Sequence, residues 1–167
     1  MAQASDLTVK DVMQLEVPVA DPATTIAELA RLMVEHRVPG VPVVRDGELI
    51  GIVTEADLIQ REANVEAPGI TTFLDAIIVA DAGTPFEEEL RRVVATTAEE
   101  LMSAPVISIR DIATVSELAT LMLRERINPV PVVDHNRQIV GLATRSGVVK
   151  LIARLENAVG SSRDASA

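Results

Sequence analysis

The sequence predicts a mixed α/β fold in which one structural unit is used twice. Three observations lead there. The stretch Val38 to Leu58, VPGVPVVRDGELIGIVTEADL, holds two short apolar runs, a tight turn, a glycine and a Thr-x-x-Asp step into a helix. Ile127 to Val148, INPVPVVDHNRQIVGLATRSGV, follows the same plan. Matching helix starts, each a threonine followed three residues later by an acid, precede both copies.

Taken in order, Thr8-x-x-Asp11 opens a short helical turn, and LEVPV runs extended because residues before proline avoid the helical region. Thr25-x-x-Glu28 starts a helix whose apolar stripe is Ile26, Leu29, Ala30 and Met33, ending near Arg37 before Pro39 and Gly40. Val41 to Val44 is a β-branched strand with one proline, Asp46-Gly47 is a two-residue hairpin turn, and Leu49 to Val53 is the returning strand. Thr54 then begins a helix running to about Glu62. Thr97-x-x-Glu100, Thr114-x-x-Glu117 and Val130-Pro131-Val132-Val133 repeat this order, and the second hairpin is one residue longer. The expected division is a first unit over 8–62, an insert over 63–96, a second unit over 97–155 and a flexible tail over 156–167.

In the insert, Ile70, Phe73, Leu74, Ile77 and Ile78 have helical spacing, although AIIVA fits a strand equally well. Thr84-Pro85-Phe86-Glu87 is a helix start. Phe73 and Phe86 are the only aromatic residues, so the insert is either a contact surface or a connector covering part of the core.

Composition narrows the function. The chain has 167 residues, 48% of them hydrophobic, enough for one domain or two small ones sharing a core. It lacks the aromatic platforms on which single strands stack, and a net charge of −10 opposes phosphate backbones, so nucleic acid is not an expected partner. No cysteine means no disulfide, thiol nucleophile or thiolate metal site. MAQASDLTVKDVM has no signal-peptide core, and no apolar run approaches a membrane span. A cytoplasmic protein that does not engage membranes is expected. No catalytic constellation is visible; His36 and His135 fall in a helix end and a turn without metal-ligand spacing.

The sharpest motif is Gly51-Ile52-Val53-Thr54-Glu55-Ala56-Asp57. Two readings fit it. Thr54 and Asp57 can simply cap a helix. The same geometry can also take a phosphate at the helix N-terminus beside the Thr54 hydroxyl, with Asp57 accepting from ribose hydroxyls and Val38, Val41 and Pro42 walling the adenine.

The doubled order resembles a pair of CBS domains, the Bateman module. The resemblance rests on the M-x-x-x-V start, the VPVV strand after the first long helix, and the G-h-h-T-x-x-D ending. It implies tandem βαββα units packed sheet to sheet with pseudo-twofold symmetry, in an α/β (α+β) fold. It implies clefts for AMP, ADP, ATP or S-adenosyl compounds such as S-adenosylmethionine, a homodimer, and regulation of a partner protein rather than catalysis. By this resemblance the pocket wall is Val17, Gly40, Val41 and Pro42, the phosphate side Thr54 and the ribose side Asp57. The second cleft keeps Val130, Pro131, Gly141 and Thr144 but has Gly147 at the aspartate position. Arg145, in place of Glu55, either reaches a phosphate or is a surface arginine. The two clefts are therefore expected to differ, and an acid placed at 147 is expected to strengthen the second. The rival reading is an interaction protein with vestigial clefts, whose working surface is the insert.

Overall fold

The computed structural model describes residues 7–65 and 95–164, with side chains over 7–62 and 95–157. The expectations for Phe73, Phe86 and most of the insert lie outside the described residues.

A 3-10 turn, Val9–Asp11, leads the chain, followed by helix α1, Ile26–His36. Strands β1, Gly40–Arg45, and β2, Glu48–Thr54, form a hairpin, and α2, Glu55–Val65, follows without a break. The second copy has α3, Ala98–Leu101, β3, Ile109–Arg110, α4, Val115–Arg124, β4, Val130–Val133, β5, Ile139–Ala143, and α5, Arg145–Asp164. Helix α5 carries the chain in helical form through 156–164, within the segment expected as a tail.

Local chemistry accounts for these boundaries. The Thr25 hydroxyl accepts from the Glu28 N–H at 3.3 Å, and Arg37 closes α1 in a left-handed conformation at φ 54°. Asp46 and Gly47 have φ of 51° and 83°, the two positive angles that a type I′ turn needs between twisted strands. In the longer second hairpin Asp134 Oδ1 accepts from the N–H groups of Asn136 and Gln138, and a register shift between Val132 and Val133 absorbs the extra residue.

The sheets are small: β1 pairs β2, and β3-β4-β5 form the other, with β3 parallel to β4 and β4 antiparallel to β5. Ile109 pairs Val132 in β3–β4, and the matching first-repeat residues, Ala20 and Val43, form a single parallel bridge.

The chain gathers into two compact units, and neither is one repeat alone. One comprises Met1–Val17, Gly47–Leu49 and Ile107–Ala167; the other comprises Pro18–Asp46 and Ile50–Val106. Each repeat's leading segment thus joins the body of the other repeat. Within the unit built on the second repeat, Thr8 bridges Thr114, the Val9 N–H donates to Ala113 at 2.8 Å, and Gln14 pairs with Leu142 in both directions. Within the other, Thr97 bridges Thr25, the Ala98 N–H donates to Thr24 at 2.8 Å, and Ser103 pairs with Ile52 in both directions. Val9 packs into a core of Leu118, Met122, Val130, Val132 and Ala143. Ala98 and Leu101 are buried in the same way in the unit holding Leu29, Val41, Val43 and Val53.

Candidate functional site

The end of β2 delivers Thr54 to the start of α2. Gly51, Ile52 and Val53 are buried along the strand, and the Glu55 N–H donates to the Pro39 carbonyl at 3.0 Å, tying the helix start to the chain just before β1. Thr54 then donates twice to one oxygen of Asp57: its N–H at 2.8 Å and its hydroxyl at 2.7 Å both reach Oδ2. The Asp57 N–H donates back to the Thr54 hydroxyl at 3.3 Å. This is a closed capping box, and it explains how Asp57 is the one buried charged residue among those described, at 8% exposure. The carboxylate also places negative charge at the positive end of α2.

The expected wall surrounds this pair in sequence and in the same unit, but its side chains are already covered. Val38, Val41 and Pro42 are buried, as is Gly40. Val17 belongs to the edge of the other unit, half-buried, with its N–H donating to the Leu15 carbonyl at 3.1 Å. The structure therefore brings Val38, Gly40, Val41, Pro42, Thr54 and Asp57 into one unit and leaves Val17 outside it.

The second repeat builds half of the same cap. The Thr144 hydroxyl accepts from the Gly147 N–H at 3.0 Å and shares a hydrogen bond with Ser146 Oγ at 2.9 Å. No carboxylate returns from position 147. The Arg145 side chain is exposed, while its N–H donates to Asn128 Oδ1 at 2.9 Å, the role Pro39 fills by its carbonyl in the first repeat. Val130 and Pro131 are buried in β4. The reason for glycine at 147 is steric: a Cβ there would lie 2.6 Å from the Val12 carbonyl oxygen. The expectation that an acid at 147 would complete the second cleft is corrected accordingly, because the leading segment occupies the space that a side chain needs.

Two further glycines read from sequence as sites of ligand approach face protein instead. Gly51 lies against Met102, and Gly141 lies against Met13 and the Gln14 carbonyl. The signal was present in the M-x-x-x-V starts, whose methionines are the approaching groups.

One open cleft of about 490 Å³ lies between β3 and α4, with Ile109 and Leu121 on its floor and Arg110 and Arg124 on its flanks. Glu117 also lines it. The Thr114 N–H and hydroxyl, donating to Glu117 at 2.7 and 2.9 Å, hold that carboxyl below its ordinary range, the backbone bond being the larger cause.

Comparison with known proteins decides the family. The CBS domain profile matches residues 9–64 and 98–154, one match on each repeat. The chain belongs to the CBS domain family. This CBS pair is 25% identical over 154 residues to the uncharacterized protein MJ1426 of Methanocaldococcus jannaschii, covering 87% of this chain and 91% of that protein. Among solved structures it matches CBSX2 in complex with AMP, a protein of Arabidopsis thaliana, with a TM-score of 0.71 at 23% identity over 90% of this chain and 99% of that one. It also matches the CBS domain pair of M. jannaschii MJ0100 in complex with 5-methylthioadenosine and S-adenosyl-L-methionine, with a TM-score of 0.64 at 25% identity over 87% and 95% of the two chains. No helix among the described residues is long and apolar enough to cross a membrane.

Proposed function

We propose that this CBS pair is a regulatory binding module that takes an adenosyl ligand and acts on a partner protein without catalysing a reaction. AMP, ADP, ATP and S-adenosyl compounds are the candidates, and the cytoplasm is the proposed compartment. The observation that carries the reading is the Thr54–Asp57 pair, a hydroxyl and a carboxylate held 2.7 Å apart at a helix N-terminus. The MJ0100 pair, which has 5-methylthioadenosine and S-adenosyl-L-methionine bound, supports the ligand class. Binding is proposed at the first repeat, with Val17, Val38, Gly40, Val41 and Pro42 as its surroundings; the second, lacking an acid at 147, binds more weakly or not at all. Calorimetry and melting curves with AMP, ATP and S-adenosylmethionine test this, since a ligand that binds only the native state raises its melting temperature.

A second reading has its own observation. Asp57 and the wall residues are buried, and the capping box is closed within the chain. On that reading the clefts are vestigial and the module works by contact alone. The absence of any thermal shift with all three ligands would favour it.

The module is proposed to act as a homodimer. Exposed aliphatic side chains recur at matching helix positions, Val34 on α1 with Leu123 on α4 and Ile59 on α2 with Val149 on α5. Faces of this kind are covered when copies associate. Sedimentation at micromolar concentration should give twice the mass of 17.8 kDa, and a monomer throughout would exclude it.

A further inference from the structure

We propose that the open cleft between β3 and α4 receives the acidic face of α1 from a second copy of this chain, so that the dimer sets unlike repeats against each other. This rests on the homodimer reading above and specifies which surfaces meet.

The repeats differ where they should match. Arg110 and Arg124 flank the second-repeat cleft, whereas the equivalent first-repeat positions carry Asp21 and Glu35. Both flanking charges are reversed. The middle of the face differs as well. Arg31 stands in the first repeat where Thr120 stands in the second. Its guanidinium is paired with Glu28 and, at 2.5 Å, with Glu35. Arg31 therefore fills the α1 face, while the short Thr120 leaves the α4 face concave. Glu117, which matches Glu28, turns back to cap its own helix at Thr114. Among the described residues Arg110 makes no ion pair, and Arg124 bonds its sequence neighbour Glu125.

Charge and shape then select the occupant. In a chain of net charge −10, a cleft flanked by two arginines suits an acidic partner, and the acidic face at hand is the equivalent surface of another copy. Val34 adjoins Glu35, and Leu123 adjoins Arg124; the two aliphatic side chains are 78% and 76% exposed. Setting α1 against α4 of the second copy brings aliphatic to aliphatic and carboxylate to guanidinium. A twofold pair makes this contact twice. Setting like repeats together would oppose Arg124 to Arg124 and Glu35 to Glu35, which is unfavourable.

The absence of cysteine allows a direct test with the full chain. Val34→Cys and Leu123→Cys, mixed and treated with a short bismaleimide, should give a 34-to-123 crosslink, while each variant alone gives little. A self-linked Leu123→Cys dimer as the main product would overturn the proposal. In parallel, Arg124→Glu and Glu35→Arg should each weaken the dimer about tenfold at low salt, because each reverses a charge in both contacts. The double variant should restore it. Melting temperatures near the parent value show that the folds are intact. Dimers unaffected by either reversal, or not rescued in the double variant, would overturn the unlike pairing but leave the homodimer standing. A monomeric parent would overturn both.

Discussion

The Met102 side chain lies across Gly51, so that a Cβ at residue 51 would fall 2.8 Å from Met102 Cγ and 3.1 Å from its Cβ. The second repeat reproduces this with Met13 over Gly141, where a Cβ would fall 3.0 Å from both Met13 Cγ and the Gln14 carbonyl. Each strand glycine thus marks where the other repeat's leading segment crosses. The exchange of leading segments and the glycines in the two G-h-h-T motifs have one physical cause.

Alanine at these positions should destabilise the fold unequally. Gly51→Ala meets mostly a flexible side chain and should cost about 1–2 kcal/mol, within the range for overpacked cores. Met102→Ala in the same chain should recover part of that loss, a coupling that a double-mutant cycle reads. Gly141→Ala should cost more, because the Gln14 carbonyl is fixed by its hydrogen bond from the Leu142 N–H. Equal denaturant midpoints for the two variants would contradict this account.

Position 147 gives a sharper contrast. A Cβ there would lie 2.6 Å from backbone rather than from a side chain, so the leading segment must shift to admit it. Gly147→Ala and Gly147→Asp should each destabilise by about 1–3 kcal/mol. Gly147→Asp should not create a ribose site. Chemical denaturation reads the first effect and calorimetry with AMP the second. A stable Gly147→Asp protein that gains AMP binding would show that the Val12 segment yields readily.

What the sequence revealed was what local chemistry decides. The Thr54, Thr114, Thr8 and Thr97 helix starts all recruit their acids as their spacing indicates, and Asp46-Gly47 turns as two residues with positive φ must. The Thr25 start is a partial exception: its hydroxyl caps Glu28, but the Glu28 carboxylate pairs with Arg31. Tertiary choices were not legible. Nothing in the local pattern says that Thr8 pairs with Thr114 rather than with its own repeat. For the same reason Val41 and Pro42 looked like an available wall, although packing covers them.

Acid should weaken the fold in a defined window. Glu28, Glu100, Asp111 and Glu117 all sit below their ordinary pKa: Glu28 through the Arg31 hydrogen bond, Glu100 and Glu117 through backbone N–H groups of Thr96 and Thr114, and Asp111 through Lys10. A carboxyl whose folded pKa is depressed contributes stability above its unfolded value, near 4.5 for glutamate, and loses it as pH falls through the folded value. The melting temperature should therefore drop between about pH 5 and pH 3. Glu100→Gln should shallow that drop, because Glu100 accepts three hydrogen bonds, from the Thr96 N–H, the Thr96 hydroxyl and the Thr97 N–H. An unchanged slope would show that the cap does not titrate with folding.

Asp57 carries two predictions in one side chain, and separating them tests the proposed site. Its Oδ2 accepts both the Thr54 N–H and the Thr54 hydroxyl, so Asp57→Ala leaves a backbone donor without its partner at a partly buried helix start. The stability loss should be about 1–2 kcal/mol, as for other lost caps. If the carboxylate also holds a ribose, Asp57→Ala should cost binding a further 1.5–3 kcal/mol or so, the range for hydrogen bonds to a charged group. That is roughly a tenfold to hundredfold weakening. Asp57→Asn sharpens the separation, since an amide oxygen can still accept from Thr54 while the charge is gone. It should recover much of the stability but less of the binding. Calorimetry with AMP on the variants, at a temperature where melting shows them fully folded, measures the two effects apart. Parent-like AMP affinity in folded Asp57→Ala would confine Asp57 to its cap and move the ligand site elsewhere.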